Sequence, residues 1–302
     1  MDSKNPPLLS AIIPISRMTG RLEKLTQWLN DQSAKNLEII LVHDIQDEAT
    51  GLELDNLIRS LDYKATIIEC FAGNPGSARN VGLRAATGQW VVFWDSDDSP
   101  NLNETLECLK TNSQDMDLII GSFTWISEVT AERTRSAKFP GEIEKALIAV
   151  GFNPGIWRMV FRRNFIGKTE FYPLKMAEDQ MFIADILVKN PKIVFIEENL
   201  YNYYFGSSNH QVNNNEAQFD LIKTFKICTY MYNQNLPHKN DYIATILIRQ
   251  FFSIQKFLPL KNKLGSTMTL IKFVISNKFK IAKTSVVILS LLRENRNHKY
   301  GR

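Results

Sequence analysis

Three carboxylates, Asp95, Asp97 and Asp98, fall within four residues directly after the apolar run Trp90, Val91, Val92, Phe93 and Trp94. The run is short and rich in Val and aromatics, which predicts a buried strand rather than a helix. A buried strand that delivers acids to its carboxyl end must offset their repulsion, and a hard divalent cation with oxygen ligands is the usual offset. Ser96 between the acids and Ser99–Pro100 after them also suit a plain turn and helix cap, so both readings stand on turn chemistry alone. A second acid pair, Glu178 and Asp179, opens a stretch with helical apolar spacing. The helix dipole favours acids there, and a carboxylate at such a rim can serve as a general base. A single acid, Asp44, ends another apolar run.

The elements that must position these acids alternate at short period. Strands are predicted over 8–16, 37–44, 65–71 and 90–94. Helices are predicted over 20–32, over the stretch carrying Leu52, Leu54, Leu57, Ile58 and Leu61, and over 77–86 with Ser77 as N-cap. Such alternation argues for an α/β fold, a mostly parallel sheet with helices on both faces. Parallel strands expose their carboxyl ends together, which places Asp44, the Gly76 loop and Asp95 at one edge. Further on, the pattern predicts helices over 102–112, 141–150 and 176–188. It predicts strands over 117–123 and 192–196 and an extended aromatic segment over 201–205. Residues 125–140 read as a loop or edge hairpin, 151–163 mix turn signals with aromatics, and from 217 the pattern is helical.

The length of 302 residues suits one large domain or a domain with an appendage, and 44% hydrophobic with 23% charged residues is an ordinary globular composition. Cys70, Cys108 and Cys228 have neither disulfide-framework nor metal-site spacing. The first residues lack a basic start followed by an apolar core, and no apolar stretch reaches the ~20 residues of a membrane span. The expectation is therefore a cytoplasmic protein, soluble or peripheral on the inner face of the cell membrane. The net charge of +4 hides an asymmetry, because residues 261–302 hold seven Lys and three Arg against one Glu. A basic tail with interleaved apolar residues suits an anionic membrane surface; a helical pair packed on the domain with a solvated basic face is the alternative. No nucleic-acid motif accompanies the charge, so nucleic acid is not an expected partner.

The order of these features carries a resemblance. Pro14 closes the first strand, and Asp44 ends the second. Pro75, Gly76, Ser77, Ala78, Arg79, Asn80, Val81, Gly82 and Leu83 follow, then Ala86, Thr87 and Gly88, then the run from Val91 to Asp98. Glu178–Asp179 and the aromatic segment from Tyr201 to Phe205 come later. Over about residues 8–210 this resembles the family 2 glycosyltransferases with the GT-A fold, of the bacterial surface-polysaccharide type. The resemblance implies a nucleotide-sugar donor (a UDP-sugar), a saccharide or lipid-linked acceptor, Mn²⁺ or Mg²⁺ as cofactor, and inversion at the anomeric carbon. Carried over by motif position, Asp97 with Asp95 beside it would hold the metal. Asp179 would be the general base with Glu178 supporting it. Pro14, Ile15, Ser16, Asp44, Gly76, Arg79, Asp95 and Ser96 would line the donor pocket. The implied organisation is a transferase domain over 1–216, with a nucleotide half over 8–100 and an acceptor half over 101–216. A helical region over 217–302 follows, its basic amphipathic tail starting near 261.

The chain departs from the family pattern at three places. Ile15, Ser16 and Arg17 stand where an aromatic residue and Asn are common. His43 replaces the first acid of an Asp pair, with Ile45–Gln46 for Gly-Ser. Phe205 stands where Arg is frequent. These bear on the base and the sugar more than on the reaction class. Trp94 and Trp157 read as packing residues, Arg162–Arg163 as a solvated pair, and His210 as a weak candidate contact to the diphosphate. The rival readings are a haloacid-dehalogenase-type phosphohydrolase with Asp95 as nucleophile, a catalytically silent nucleotide- or carbohydrate-binding module, and a nucleotidyltransferase. The phosphohydrolase motif usually opens its domain, whereas strand–helix units precede Asp95 here. The nucleotidyltransferase needs a Gly-rich phosphate loop that residues 16–20 do not supply.

Overall fold

The computed structural model describes residues 6–276 except 32, 47, 113–114, 137, 207–214 and 233–238, and excludes the side chains of 215, 216 and 239. His210 and the basic tail beyond 276 lie outside the described residues.

Four parallel strands form as the apolar runs predict: β1 (Leu9–Ile15), β2 (Glu38–Asp44), β3 (Ala65–Cys70) and β4 (Trp90–Phe93). They are linked by α1 (Glu23–Leu29), α2 (Glu48–Ser60) and α3 (Pro75–Ala85). After β5 (Ser99–Pro100) and α4 (Leu102–Asn112) come β6 (Leu118–Ser127), β7 (Arg133–Arg135), α5 (Ile143–Phe152), β8 (Met159–Arg162) and α6 (Arg163–Ile166). Then follow α7 (Glu178–Val188), β9 (Ile193–Phe205), α8 (Asn215–Gln218), α9 (Asp220–Tyr232), α10 (Lys239–Phe257) and α11 (Leu260–Ser276). The sheet runs β3-β2-β1-β4-β8-β6-β9-β5, with β7 paired to β6. The α/β expectation is borne out, and β6–β7 is the edge hairpin admitted for 125–140.

Three local readings need correction. The cap of α3 is Asn74, not Ser77: its Oδ1 accepts the Ser77 backbone N–H at 2.8 Å, and Pro75, with no N–H to satisfy, opens the helix. The mixed stretch 151–163 hides β8, an antiparallel strand inserted between β4 and β6. Residues 192–196 and 201–205 belong to one strand. The polar interruption at Glu197, Glu198 and Asn199 coincides with register shifts in the β6–β9 ladder. Gly121 of β6 permits those shifts, because a Cβ there would meet Leu200 Cγ at 2.4 Å.

The chain divides into two compact units. One comprises Met1–Ser136, Ile156–Pro173 and Pro191–Ser208 and holds the sheet. Its core packs Trp28 edge-on against Trp94, with centroids 5.5 Å apart, among buried Leu and Ile of β1 and β2. The other comprises Ala137–Gly155, Leu174–Asn190 and Asn209–Arg302. In it α10 packs against α5, α7, α9 and α11. Its close approach to α5 requires Gly151, whose Cβ would meet Thr245 Cβ at 2.9 Å.

Candidate active site

The carboxyl edge of β4 carries the densest set of named residues. Arg79 projects from α3, which lies close on the sheet because Gly82 has no side chain: a Cβ there would meet Ile12 Cγ2 at 2.4 Å. Arg79 Nη2 donates to Asp95 Oδ1 at 2.7 Å, and its guanidinium lies 5.6 Å over the Phe171 ring. Asn80 fixes that ring's backbone, donating to Phe171 O at 2.9 Å and accepting from Phe171 N at 2.7 Å. The Asp95 backbone N–H donates to the Tyr201 hydroxyl oxygen at 3.0 Å. Tyr201 is fully buried and stacks on Trp157, with centroids 4.6 Å apart and planes 15° apart; Trp157 stacks on Tyr203 as well. Trp94 and Trp157 are thus engaged in packing.

Asp98 is buried beneath this turn and accepts the Tyr204 backbone N–H at 2.8 Å. Burial, then the charges of Asp97 and Asp95, push its carboxyl well above the usual range, against the pull of hydrogen bonds from Tyr204 and Tyr201. Burial, then the charges of Asp98, Asp95 and Asp97, raise the Tyr201 phenol. Ser96 is buried and Asp97 is exposed. The structure therefore gathers Arg79, Asp95, Ser96, Asp97 and Asp98 at one edge, with opposing charge supplied to Asp95 by Arg79.

At the carboxyl end of β2, both Asp44 oxygens serve the loop before α3, accepting Ala72 N–H at 2.8 Å and Gly73 N–H at 2.9 Å. Gly73 has φ +68, a left-handed conformation that glycine takes without strain. Asp44 thereby shapes the loop that leads to Gly76, itself buried at the start of α3. His43 points to the other face, where a Cβ on Gly51 of α2 would lie 3.1 Å from its Cε1. At the end of β1, Pro14 is half-buried, Ile15 buried and Ser16 exposed. Two departures from the family pattern meet here: Arg17 Nη2 donates to Gln46 Oε1 at 3.3 Å, and Gln46 Nε2 donates to Asp44 Oδ1 at 3.3 Å.

Glu178 and Asp179 stand in the second unit, in the first turn of α7. Glu178 is buried and Asp179 half-buried, its Oδ1 accepting the Gln180 N–H at 2.7 Å. The residue before them, Ala177, has φ +66 and ψ 17, the left-handed region that costs a non-glycine residue about 1–2 kcal/mol. Backbone strain of this kind collects at functional sites. The helix is held further along, where Gln180 Oε1 accepts from Gln250 Nε2 at 3.0 Å and Gln180 O from the Tyr242 hydroxyl at 3.3 Å.

Sequence reasoning assigned no role to Asp98 or to the Tyr201 hydroxyl. Asp98 was visible within the acid cluster; Tyr201 was visible only as one aromatic residue among several, since its partner lies 106 positions away. Arg162 and Arg163 brace strand ends rather than standing solvated. Arg162 Nε donates to Met116 O at 2.7 Å and Arg163 Nε to Gly88 O at 2.6 Å. Among the described residues, no three His, Cys, Asp or Glu side chains are grouped to hold a metal ion by themselves.

The profile of Glycosyl transferase family 2 matches residues 10–174, more than half of the chain, and the chain belongs to that family. It is 26% identical over 212 residues to glycosyltransferase EpsJ of Bacillus subtilis (strain 168), covering 65% of this chain and 61% of that protein. It is 25% identical over 273 residues to the poly(ribitol-phosphate) beta-N-acetylglucosaminyltransferase TarS of Staphylococcus aureus (strain MW2), covering 84% of this chain and 46% of TarS. The chain thus spans roughly half the length of these relatives. The structure of S. aureus TarS 1–349 in complex with UDP-GlcNAc superposes with TM-score 0.67 at 20% identity, covering 88% of this chain and 81% of that one. A mannosyltransferase from Pyrobaculum calidifontis in complex with GDP-Man and Mn²⁺ superposes with TM-score 0.53 at 12% identity, covering 99% and 89%. These likenesses agree with the GT-A fold.

Proposed function

We propose that this chain transfers a sugar from a nucleotide-diphosphate donor, a UDP-sugar, to a hydroxyl of a saccharide or lipid-linked acceptor in surface-polysaccharide assembly, with inversion at the anomeric carbon. The observation that carries the reading is the acid cluster from Asp95 to Asp98, tied to Arg79 and Tyr201 at the carboxyl edge of β4 in a family 2 chain. Support for the donor comes from TarS, solved with UDP-GlcNAc and with UDP. The name of TarS, a poly(ribitol-phosphate) beta-N-acetylglucosaminyltransferase, supports a polymer as the acceptor class.

The donor set suits a hard cation. Its protein ligands would be carboxylate oxygens, since Asp95, Asp97 and Asp98 lie within four residues and Asp95 is paired with Arg79. Asp97, exposed, with Asp95 beside it, would hold Mn²⁺ or Mg²⁺, and the diphosphate and water would complete its coordination. The bound ion would supply stabilisation of the negative charge that develops on the departing diphosphate. Arg79 keeps Asp95 in place, Asp44 and Gln46 set the loop and strand ends around the nucleoside, and Pro14, Ile15, Ser16, Gly76 and Ser96 line the donor pocket. Asp179, supported by Glu178, accepts the proton of the acceptor hydroxyl as its oxygen bonds to the anomeric carbon and the bond to the diphosphate breaks. One displacement needs no carboxylate nucleophile.

Thermal shift against nucleotide diphosphates and nucleotide-sugars, with and without Mn²⁺, tests this reading, because a ligand bound only to the folded state raises apparent stability. A metal-dependent shift with a uridine nucleotide is expected. Asp179→Asn should keep that shift while UDP release falls about 100-fold or more, the scale of general-base catalysis. No shift with any nucleotide overturns the donor assignment, and normal turnover in Asp179→Asn removes Asp179 as the base.

A further inference from the structure

We propose that the exposed face of α11 docks the protein on an anionic lipid bilayer. Leu260, Leu264, Met268, Ile271, Val274 and Ile275 are all solvent-exposed, from 45% at Val274 to 69% at Leu260. Wound at about 100° per residue, these six positions fall within an arc of about 120°. On the same wheel Lys263 lies at one rim of the arc and Lys261 and Lys272 at the other. The opposite side is the packed one: Phe273 and Ser266 are buried. The Phe273 ring meets Tyr232 edge-on at 4.9 Å, and Gln255 Nε2 of α10 donates to Ser266 Oγ and to Lys263 O, both at 3.1 Å. Packing therefore sets the rotation of α11 and turns the apolar stripe outward. An apolar stripe of this size along a helix is unusual for surface that stays in water.

Charge selects the occupant. Residues 242–293 contain no Asp or Glu, while Lys256, Lys261, Lys263 and Lys272 lie on or beside this helix. A symmetric contact with a second copy would set Lys261, Lys263 and Lys272 against their own equivalents with no acid on this stretch to compensate. A soluble polyanion would match the lysines and leave the six apolar side chains in water. An anionic bilayer takes both, the stripe entering the acyl boundary and the lysines meeting the headgroups. The inference rests on α11 and not on the donor assignment. No described helix is long and apolar enough to cross a membrane, so the geometry is that of a helix lying in the interface.

Flotation of the full chain tests this, with phosphatidylcholine vesicles and with vesicles in which about one third of the lipid is phosphatidylglycerol. Binding to the anionic vesicles alone is expected. It should fall about 10-fold when salt is raised from about 0.1 M to about 0.5 M, as the lysine attraction is screened. The double variant Leu264→Glu, Ile271→Glu changes only exposed positions and should lower binding at least about 10-fold, since it places charge in the apolar boundary. Its circular dichroism and nucleotide-induced thermal shift should match the parent chain, so a failure of docking reads separately from a failure of the donor assignment. Binding retained in the double variant overturns the proposal, as does equal binding to neutral vesicles or no flotation. Sedimentation showing a dimer that the double variant dissociates also overturns it, in favour of a second copy.

Discussion

At the amino end of β2, Glu38 sits among donors: the Ser10 hydroxyl, Thr87 N–H at 2.8 Å, the Thr87 hydroxyl at 2.6 Å and Gly88 N–H at 3.3 Å. At the carboxyl end of β4 in the same sheet, Asp95, Asp97 and Asp98 crowd one another. Burial pushes the Glu38 carboxyl up, but the hydrogen bonds from Ser10, Thr87 and Gly88 outweigh it and hold the group below its usual range. Burial also pushes Asp98 up, and there the neighbouring acids add to the shift instead of offsetting it. A carboxylate surrounded by donors closes the sheet and has its charge satisfied within the fold. Carboxylates that face one another retain an unmet demand for positive charge, which is the condition for binding a cation or a cationic transition state. Gly88 serves the first arrangement, because a Cβ there would meet Ser10 Oγ at 2.4 Å and displace the staple.

Substitutions at the two ends should separate these roles. The largest effect is expected from Asp97→Asn, which should lower UDP release about 100-fold or more by removing electrostatic stabilisation of the leaving group. Its ligand-free melting temperature should hold or rise, because a charge pressing on Asp98 is gone. A fall in melting temperature with unchanged turnover would reverse the contrast between the two ends. Tyr201→Phe should rank next. It leaves the part-buried Asp95 N–H without its acceptor and leaves Asp98 with the Tyr204 N–H but not the Tyr201 hydroxyl, at a cost of about 1–3 kcal/mol in urea unfolding. Transfer should drop as the turn loosens; unchanged stability and turnover would show that the hydroxyl does not hold the turn. Glu38→Gln should have the smallest effect, confined to stability and leaving donor affinity unchanged. Because the folded carboxyl titrates below its unfolded value of 4.5, its stabilisation is present above that value and is lost as pH falls through the folded value. Melting curves of Glu38→Gln and the parent chain should therefore differ at neutral pH and converge in acid.

Much of the first unit was legible in the residues. The β1, β2 and β4 runs are apolar because both faces of the parallel sheet are covered there, and such runs stand out without alternation. The helix after β3 was legible but its start was read two residues late, at Ser77 in place of Pro75, and the capping atom proved to be on Asn74. What escaped was local signal mixed with other demands. β8 carries Arg162 and follows a turn-rich stretch, so its few apolar residues gave no period. The polar residues inside β9 concealed its continuity because they sit at a register shift. Arg17 and Gln46 looked like separate losses from the family pattern, and only folding brings them to hydrogen-bonding distance.

The sequence by itself determined the α/β order, the family and the edge shared by Asp44, the Gly76 loop and Asp95, because short-range periodicity and glycine placement act locally and parallel strands share one polarity. Tertiary structure decided what each polar atom is for. It gave both Asp44 oxygens to backbone N–H groups, paired Arg79 with Asp95, and put the Tyr201 hydroxyl on the Asp95 N–H. It also turned the α11 stripe outward by burying Phe273 on Tyr232. Those outcomes depend on which groups meet across long separations in the chain, and hydrogen bonds and ion pairs are decided by distances that no stretch of sequence contains.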